Sequence, residues 1–135
     1  MVNKVDNRSR VPVFVSHTPA GASVQCLEHY SQIIRSGVFA YYDHGEKENI
    51  RRYGTKTAPP VPLQNITASS APPIQIVTGT RDKLASLQDV RWLRDTLGEE
   101  VVVDYQELEL SHVSYTLGKN MGYLTDHVLP FLLSH

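Results

Sequence analysis

The stretch Ile74-Gln75-Ile76-Val77-Thr78-Gly79-Thr80-Arg81-Asp82 decides the fold class. Its first five residues are mostly apolar and β-branched, which predicts a short strand buried on both faces, and glycine then opens a turn. Downstream, Ser86 stands three residues before Asp89, the spacing of a capping box, at the head of a helix with Leu87, Val90, Leu93 and Leu97 along one side. Gly98 ends that helix, and Val101-Val102-Val103-Asp104-Tyr105 forms the next strand. Residues 118–134 close the chain with an apolar helix through Met121, Leu124, Val128 and Leu132. Strand, helix, strand, helix is a βαβ unit, so the two strands run parallel with a right-handed crossover. Both strand C-termini then share one edge, where open α/β sheets build their sites.

Asp82 follows the first of those ends and His112 the second. An acid and then a histidine in this order is the back half of a Ser-Asp-His triad on an α/β-hydrolase fold. There the histidine takes the nucleophile's proton and the carboxylate fixes its tautomer. Asp82 also reads as an ordinary turn residue after a glycine, and His112 as a loop histidine bonded to backbone; their joint placement favours the pair. The nucleophile is unknown and reads as missing from the chain. A nucleophile elbow needs Gly-x-Ser-x-Gly, and Gly21-Ala22-Ser23 continues instead as Val24-Gln25, so Ser23 reads as a helix cap. His29 and His127 fall within predicted helices, while His17, His44 and His135 lack an acid in a fitting context. No metal site is expected, because Glu28/His29 and Asp126/His127 have the wrong helical offset. No cofactor is called for either.

Upstream of the βαβ unit, residues 11–16 (Val-Pro-Val-Phe-Val-Ser) suit a short extended segment, with Pro12 arguing for an edge position. From Ser23, the apolar residues Val24, Leu27, Tyr30, Ile33 and Ile34 predict a helix that Gly37 ends. Residues 38–45 read as a loop, with a short helix at residues 46–53. Five prolines between Pro59 and Pro73 mark an irregular connection and the best domain boundary.

The chain has 135 residues and a formal net charge of −1, with 41% hydrophobic and 20% charged residues, the composition of one modest globular domain. No basic cluster interleaves with aromatics, so nucleic-acid binding is not expected. One cysteine, Cys26, excludes an internal disulfide framework. The polar residues 1–10 carry no signal peptide, and no apolar run would span a bilayer. Asn7-Arg8-Ser9 and Asn65-Ile66-Thr67 are sequons, usable only on a secretory route.

At these residues the chain resembles the C-terminal third of the acid lipase family, the gastric and lysosomal lipases. The likeness runs from about Arg10 to Leu133. The family's Ser-His-Asn-Pro-Ala-Gly-Thr-Ser-Val-Gln stretch is Ser16-His17-Thr18-Pro19-Ala20-Gly21-Ala22-Ser23-Val24-Gln25 here. His29-Tyr30-Ser31-Gln32, Ser36-Gly37-Val38-Phe39 and Tyr42-Asp43-His44-Gly45 continue it. The family's acid context Gly-Gly-x-Asp-x-Leu-Ala-Asp-Pro appears as Gly79-Thr80-Arg81-Asp82-Lys83-Leu84-Ala85-Ser86-Leu87, and its His-Leu-Asp-Phe as His112-Val113-Ser114-Tyr115. The histidine is kept, and Ser114 replaces the family's neighbouring acid.

The resemblance implies a division into residues 1–70, the remainder of a helical cap domain and linker, and residues 71–135, the C-terminal part of an α/β-hydrolase core. It implies a lipase or carboxylic-ester hydrolase of neutral lipids (triacylglycerol, sterol ester) acting at a lipid–water interface, with Asp82 and His112 catalytic. The family's serine and oxyanion hole belong to a part absent here. It further implies a secreted or lysosomal glycoprotein, with Asn65 the glycosylation site. Two strands alone would leave a sheet edge open to association. The rival expectation is a truncated, inactive lipase-like remnant that binds a lipid or a partner.

Overall fold

The computed structural model describes residues 4–134. It has two compact units: residues 4–17 with 63–134, and residues 18–62. The sequence placed a single boundary in the proline-rich connection near residue 70. By compactness the described residues divide at 17/18 and 62/63, and residues 4–17 group with the strands.

The strand unit is built on β1 (Ile74–Gly79) and β2 (Val102–Leu108), joined through α4 (Leu87–Leu97). The strands pair in parallel, with Gln75 opposite Asp104 and Gly79 opposite Leu108. The ladder continues past the strand ends, because the Thr80 amide donates to the Leu108 carbonyl at 2.8 Å and that of Arg81 to Leu110 at 3.0 Å. Gly79 is required at this point: a Cβ there would stand 2.4 Å from the Leu110 carbonyl oxygen. α4 begins where the sequence put it. The Ser86 hydroxyl accepts the Asp89 amide at 3.1 Å and donates to the Asp89 carboxylate at 2.7 Å. Across to β2, Arg91 grips Glu107 with two bonds of 2.7 and 2.8 Å, and the Arg94 guanidinium lies 4.6 Å from the centre of the Tyr105 ring.

Three expectations fail in this unit. Residues 11–16 are not extended: α1 spans Val11–His17, following a 3-10 turn at Arg8–Arg10. The Asn7 side chain caps that turn by accepting the Ser9 amide, and Pro12 sits in the first helical turn, where its missing N–H costs nothing. β1 is not buried on both faces, since residues 74–77 are half-buried and only Thr78 and Gly79 are covered; among the described residues its sheet has just two strands. The closing helix is not continuous from Gly118. A short α5 (Ser114–Leu117) ends at Gly118, and helix resumes at residue 122 with a wide turn over Leu124–Val128 before α6 (Leu129–Ser134). Pro130 explains the wide turn: it cannot donate to the carbonyl four residues back, and its ring crowds that carbonyl.

The other unit holds α2 (Val24–Ser36) and α3 (Glu46–Tyr53), both ended by left-handed glycines, Gly37 and Gly54. On α3, the buried Asn49 side chain donates to Asp43 at 2.7 Å and to the Lys56 carbonyl at 3.0 Å, and accepts the His44 amide at 3.0 Å. The Gln32 side chain adds two bonds to the Asp43 backbone, and the rings of Tyr42, His44 and Tyr53 pack on the same loop. On α2, Val24, Leu27, Tyr30 and Ile34 are exposed.

Buried apolar residues are few among those described: Leu63, Val101, Val102, Leu110 and Leu117. Such a thin core has little room to absorb overpacking. Gly79→Ala is therefore expected to lower the unfolding free energy by about 1–3 kcal/mol through the clash with Leu110, measured by urea denaturation. At Gly37 (φ 66°), where a Cβ meets nothing within 4 Å, alanine should cost only the left-handed backbone strain, about 1–2 kcal/mol.

Candidate functional site

Where the parallel strands end, two turns leave the sheet together. The first carries Asp82, whose amide donates to the Gly79 carbonyl at 3.0 Å. The second carries His112 within residues 111–114, closed by the Ser114 amide on the Ser111 carbonyl at 3.0 Å. His112 Nδ1 lies 3.0 Å from Asp82 Oδ2. The two residues the sequence singled out are thus in hydrogen-bond contact across thirty positions of chain.

Their surroundings differ. The Asp82 side chain is 3% exposed and that of His112 54%. Asp82 Oδ1 accepts the amides of Leu84 at 2.8 Å and Ala85 at 2.9 Å, leaving Oδ2 for the imidazole. Burial pushes this carboxyl up, but the Ala85 and Leu84 amides, with His112, outweigh it and hold the group below the ordinary aspartate range. An ionised carboxylate facing Nδ1 favours the tautomer with its proton on Nδ1. The lone pair of Nε2 is then available, and among the described residues that nitrogen makes no hydrogen bond. Chemically, the pair can accept a proton at Nε2 and stabilise the resulting imidazolium.

Neighbouring residues brace the pair. Tyr115 donates its hydroxyl to the Val77 carbonyl at 3.2 Å and stacks edge-on against Tyr123, with ring centres 5.4 Å apart. Burial, then the charge of Asp82, pushes its phenol up, so it stays a neutral donor. Arg81 pairs with Glu109, tying the two turns together on their outer side. Ser114 is fully buried, and its hydroxyl bonds to the carboxylate of Asp6. Sequence pattern gave no sign of Asp6, Ser111 or Ser114 in this role; only the departure at Ser114 from the resembled motif drew notice to the position.

The other candidates fall elsewhere. Ser23 is at the start of α2, in the unit that does not contain the pair, and its side chain makes no capping bond. His29 bonds the Ala40 carbonyl at 2.8 Å, and His44 packs against the rings of Tyr42 and Tyr53. His135 and residues 1–3 lie outside the described residues. Asn65 is exposed on the 3-10 turn Leu63–Asn65, whereas Asn7 has its side chain engaged by Ser9. A cleft of about 390 Å³ opens beside β2, lined by Val5, Leu110, Lys119, Tyr123 and His127 among others, but neither Asp82 nor His112 lines it.

No family model matches the chain. Individual proteins do. The chain is 35% identical over 128 residues to a tear acid lipase-like protein of Mesocricetus auratus, covering 93% of this chain and 31% of that protein. It is 42% identical over 84 residues to the gastric triacylglycerol lipase of Homo sapiens (62% and 20%). To a putative lysosomal acid lipase/cholesteryl ester hydrolase of Crotalus adamanteus it is 33% identical over 113 residues (83% and 27%). The chain belongs to an acid lipase-like family. It spans about a third or less of the length of these curated relatives. For an acid lipase-like chain the α/β architecture is the expected one, and the small parallel sheet with its helices is consistent with part of an α/β-hydrolase fold. Among the described residues no helix is long and apolar enough to cross a membrane.

The electrostatics of this unit predict its acid behaviour. Hydrogen bonds from Arg91, then Tyr105, hold Glu107 at about 2, against an ordinary value of 4.5, and Asp82 is lowered as well. Carboxyls that are lower in the folded state stabilise it fully above their unfolded values and lose that contribution as pH falls through the folded ones. The thermal midpoint should hold steady down to about pH 5 and then fall steadily towards about pH 2. Glu107→Gln should flatten part of that fall, as read by circular dichroism melts across the acid range.

Proposed function

We propose that this chain is the acid-and-base portion of a lipase that cleaves neutral lipid esters, triacylglycerol or sterol ester, at a lipid–water interface. The observation that carries the reading is the 3.0 Å contact between His112 Nδ1 and a nearly buried Asp82 at the shared ends of two parallel strands. In this reading His112 Nε2 removes the proton of a serine hydroxyl as that oxygen attacks the ester carbonyl. Asp82 keeps the ring in the Nδ1–H tautomer and stabilises the imidazolium. The imidazolium then protonates the leaving alcohol, and water, activated by the same nitrogen, releases the fatty acid from the acyl-enzyme. The serine and the oxyanion donors lie outside these 135 residues, as do the remaining cap and sheet; residues 71–135 are the end of the hydrolase core. The names of the relatives support a lipid ester as substrate and a secreted or lysosomal setting, where Asn65 would carry a glycan.

A second reading, a binding remnant without turnover, draws on the exposed apolar residues Val24, Leu27, Tyr30 and Ile34 of α2. A graft separates the two. Residues 4–134, which include the Asp6 carboxylate bonded to Ser114, are put in place of the corresponding segment of a full-length gastric or lysosomal relative, and triacylglycerol and cholesteryl ester hydrolysis are assayed. The hydrolase reading expects turnover that falls about 10⁴-fold in Asp82→Asn and at least as far in His112→Ala. A folded but inert graft would leave only the binding remnant. The isolated chain should hydrolyse nothing; turnover by it that His112→Ala abolishes would refute the missing nucleophile.

A further inference from the structure

Beneath the turn that carries His112 lies a second carboxylate. Asp6 is fully buried and comes from residues 5–7, which run antiparallel against the chain after α5. The Asn7 amide donates to the Leu117 carbonyl at 2.6 Å and that of Lys119 to Val5 at 2.9 Å, fixing the depth to which this segment enters. Two hydroxyls converge on the carboxylate: Ser111 Oγ lies 3.2 Å from Oδ2, and Ser114 Oγ donates to Oδ1. Ser114 Oγ also accepts the Ser111 amide at 2.8 Å. Ser111 and Ser114 are the two ends of the turn in which His112 and Val113 are the middle residues. Both ends of the histidine turn are therefore pinned to one buried group.

Pinning matters because the histidine ring cannot hold itself. More than half of its side chain faces solvent, and the bond to Asp82 is the one side-chain hydrogen bond its ring makes among the described residues. The ring keeps its place only if its backbone does. A buried carboxylate is tolerated only when hydrogen-bonded, and the donors it collects include the hydroxyls of both residues that end the turn. It also gives each hydroxyl proton an acceptor, which leaves the Ser114 oxygen lone pairs for the Ser111 amide. Take the carboxylate away, and the two hydroxyls, 2.8 Å apart, must share protons with each other.

We propose that Asp6 is a positioning residue for His112, acting through Ser111 and Ser114 to hold the imidazole in register with Asp82. This rests on the reading of Asp82 and His112 as acid and base, and its test needs no turnover. The tautomer of His112 is read by nitrogen NMR on the ¹⁵N-histidine-labelled full chain, at a pH where the ring is neutral. Asp6→Ala should shift His112 from the Nδ1–H form to a majority of Nε2–H, the preference of a free imidazole, while amide dispersion reports a retained fold. Asp6→Asn, whose carbonyl still accepts a hydroxyl, should restore the Nδ1–H form. A folded Asp6→Ala with the original tautomer overturns the proposal. Should that variant fail to fold, Ser114→Ala is read instead: the same shift supports the proposal and an unchanged tautomer overturns it. An inert graft alongside these tautomer shifts would sink the hydrolase reading and not this one.

Discussion

Two strands pointing the same way, with their last residues in contact, are the constraint on which the rest of the chain depends. Parallel pairing puts both exits on one edge. The extra amide bonds from Thr80 and Arg81 keep the two exits together for several residues past the sheet. That closeness is open only to a residue without a Cβ, which is why Gly79 faces the Leu110 carbonyl. Separate those two backbones and Asp82 and His112 lose contact, whatever their own rotamers prefer. The site is therefore a property of the ladder first and of its side chains second.

The strand unit was legible where a local rule was decisive. Apolar runs announced β1 and β2, and a serine three residues before an aspartate announced the start of α4. Asp82 and His112 could be placed together because parallel topology dictates where strand ends go. The misreadings share one cause. Residues 11–16 look like a strand by composition, yet a capped 3-10 turn before them sets the helical conformation. Hydrophobic spacing runs straight through Pro130 and does not register its missing donor, so the wide turn before it went unforeseen. Asp6 is farther from prediction still, 105 and 108 positions from the hydroxyls it collects. No periodicity spans that distance.

Membership of an acid lipase-like family and the thin core bear on each other. Few apolar side chains are buried among the described residues, while a row of large ones lies open along α2 and β1 stays half-covered. The chain corresponds to about a third or less of its relatives. Polar ties bridge the shortfall locally: Asn49 in one unit, and the Asp6 cluster and the Arg91–Glu107 fork in the other.

The two oxygens of Asp82 have separate employments, and this gives the acid a built-in direction. Oδ1 is committed to the amides of its own loop, so the carboxylate is oriented before any imidazole arrives, and only Oδ2 faces outward. The histidine docks against a surface already set, instead of the two groups searching for each other. Lengthening the acid by one methylene would break this division, since a glutamate that reached the ring would pull away from the loop. The residue at this position is thus specified by the geometry of four consecutive residues as much as by its charge.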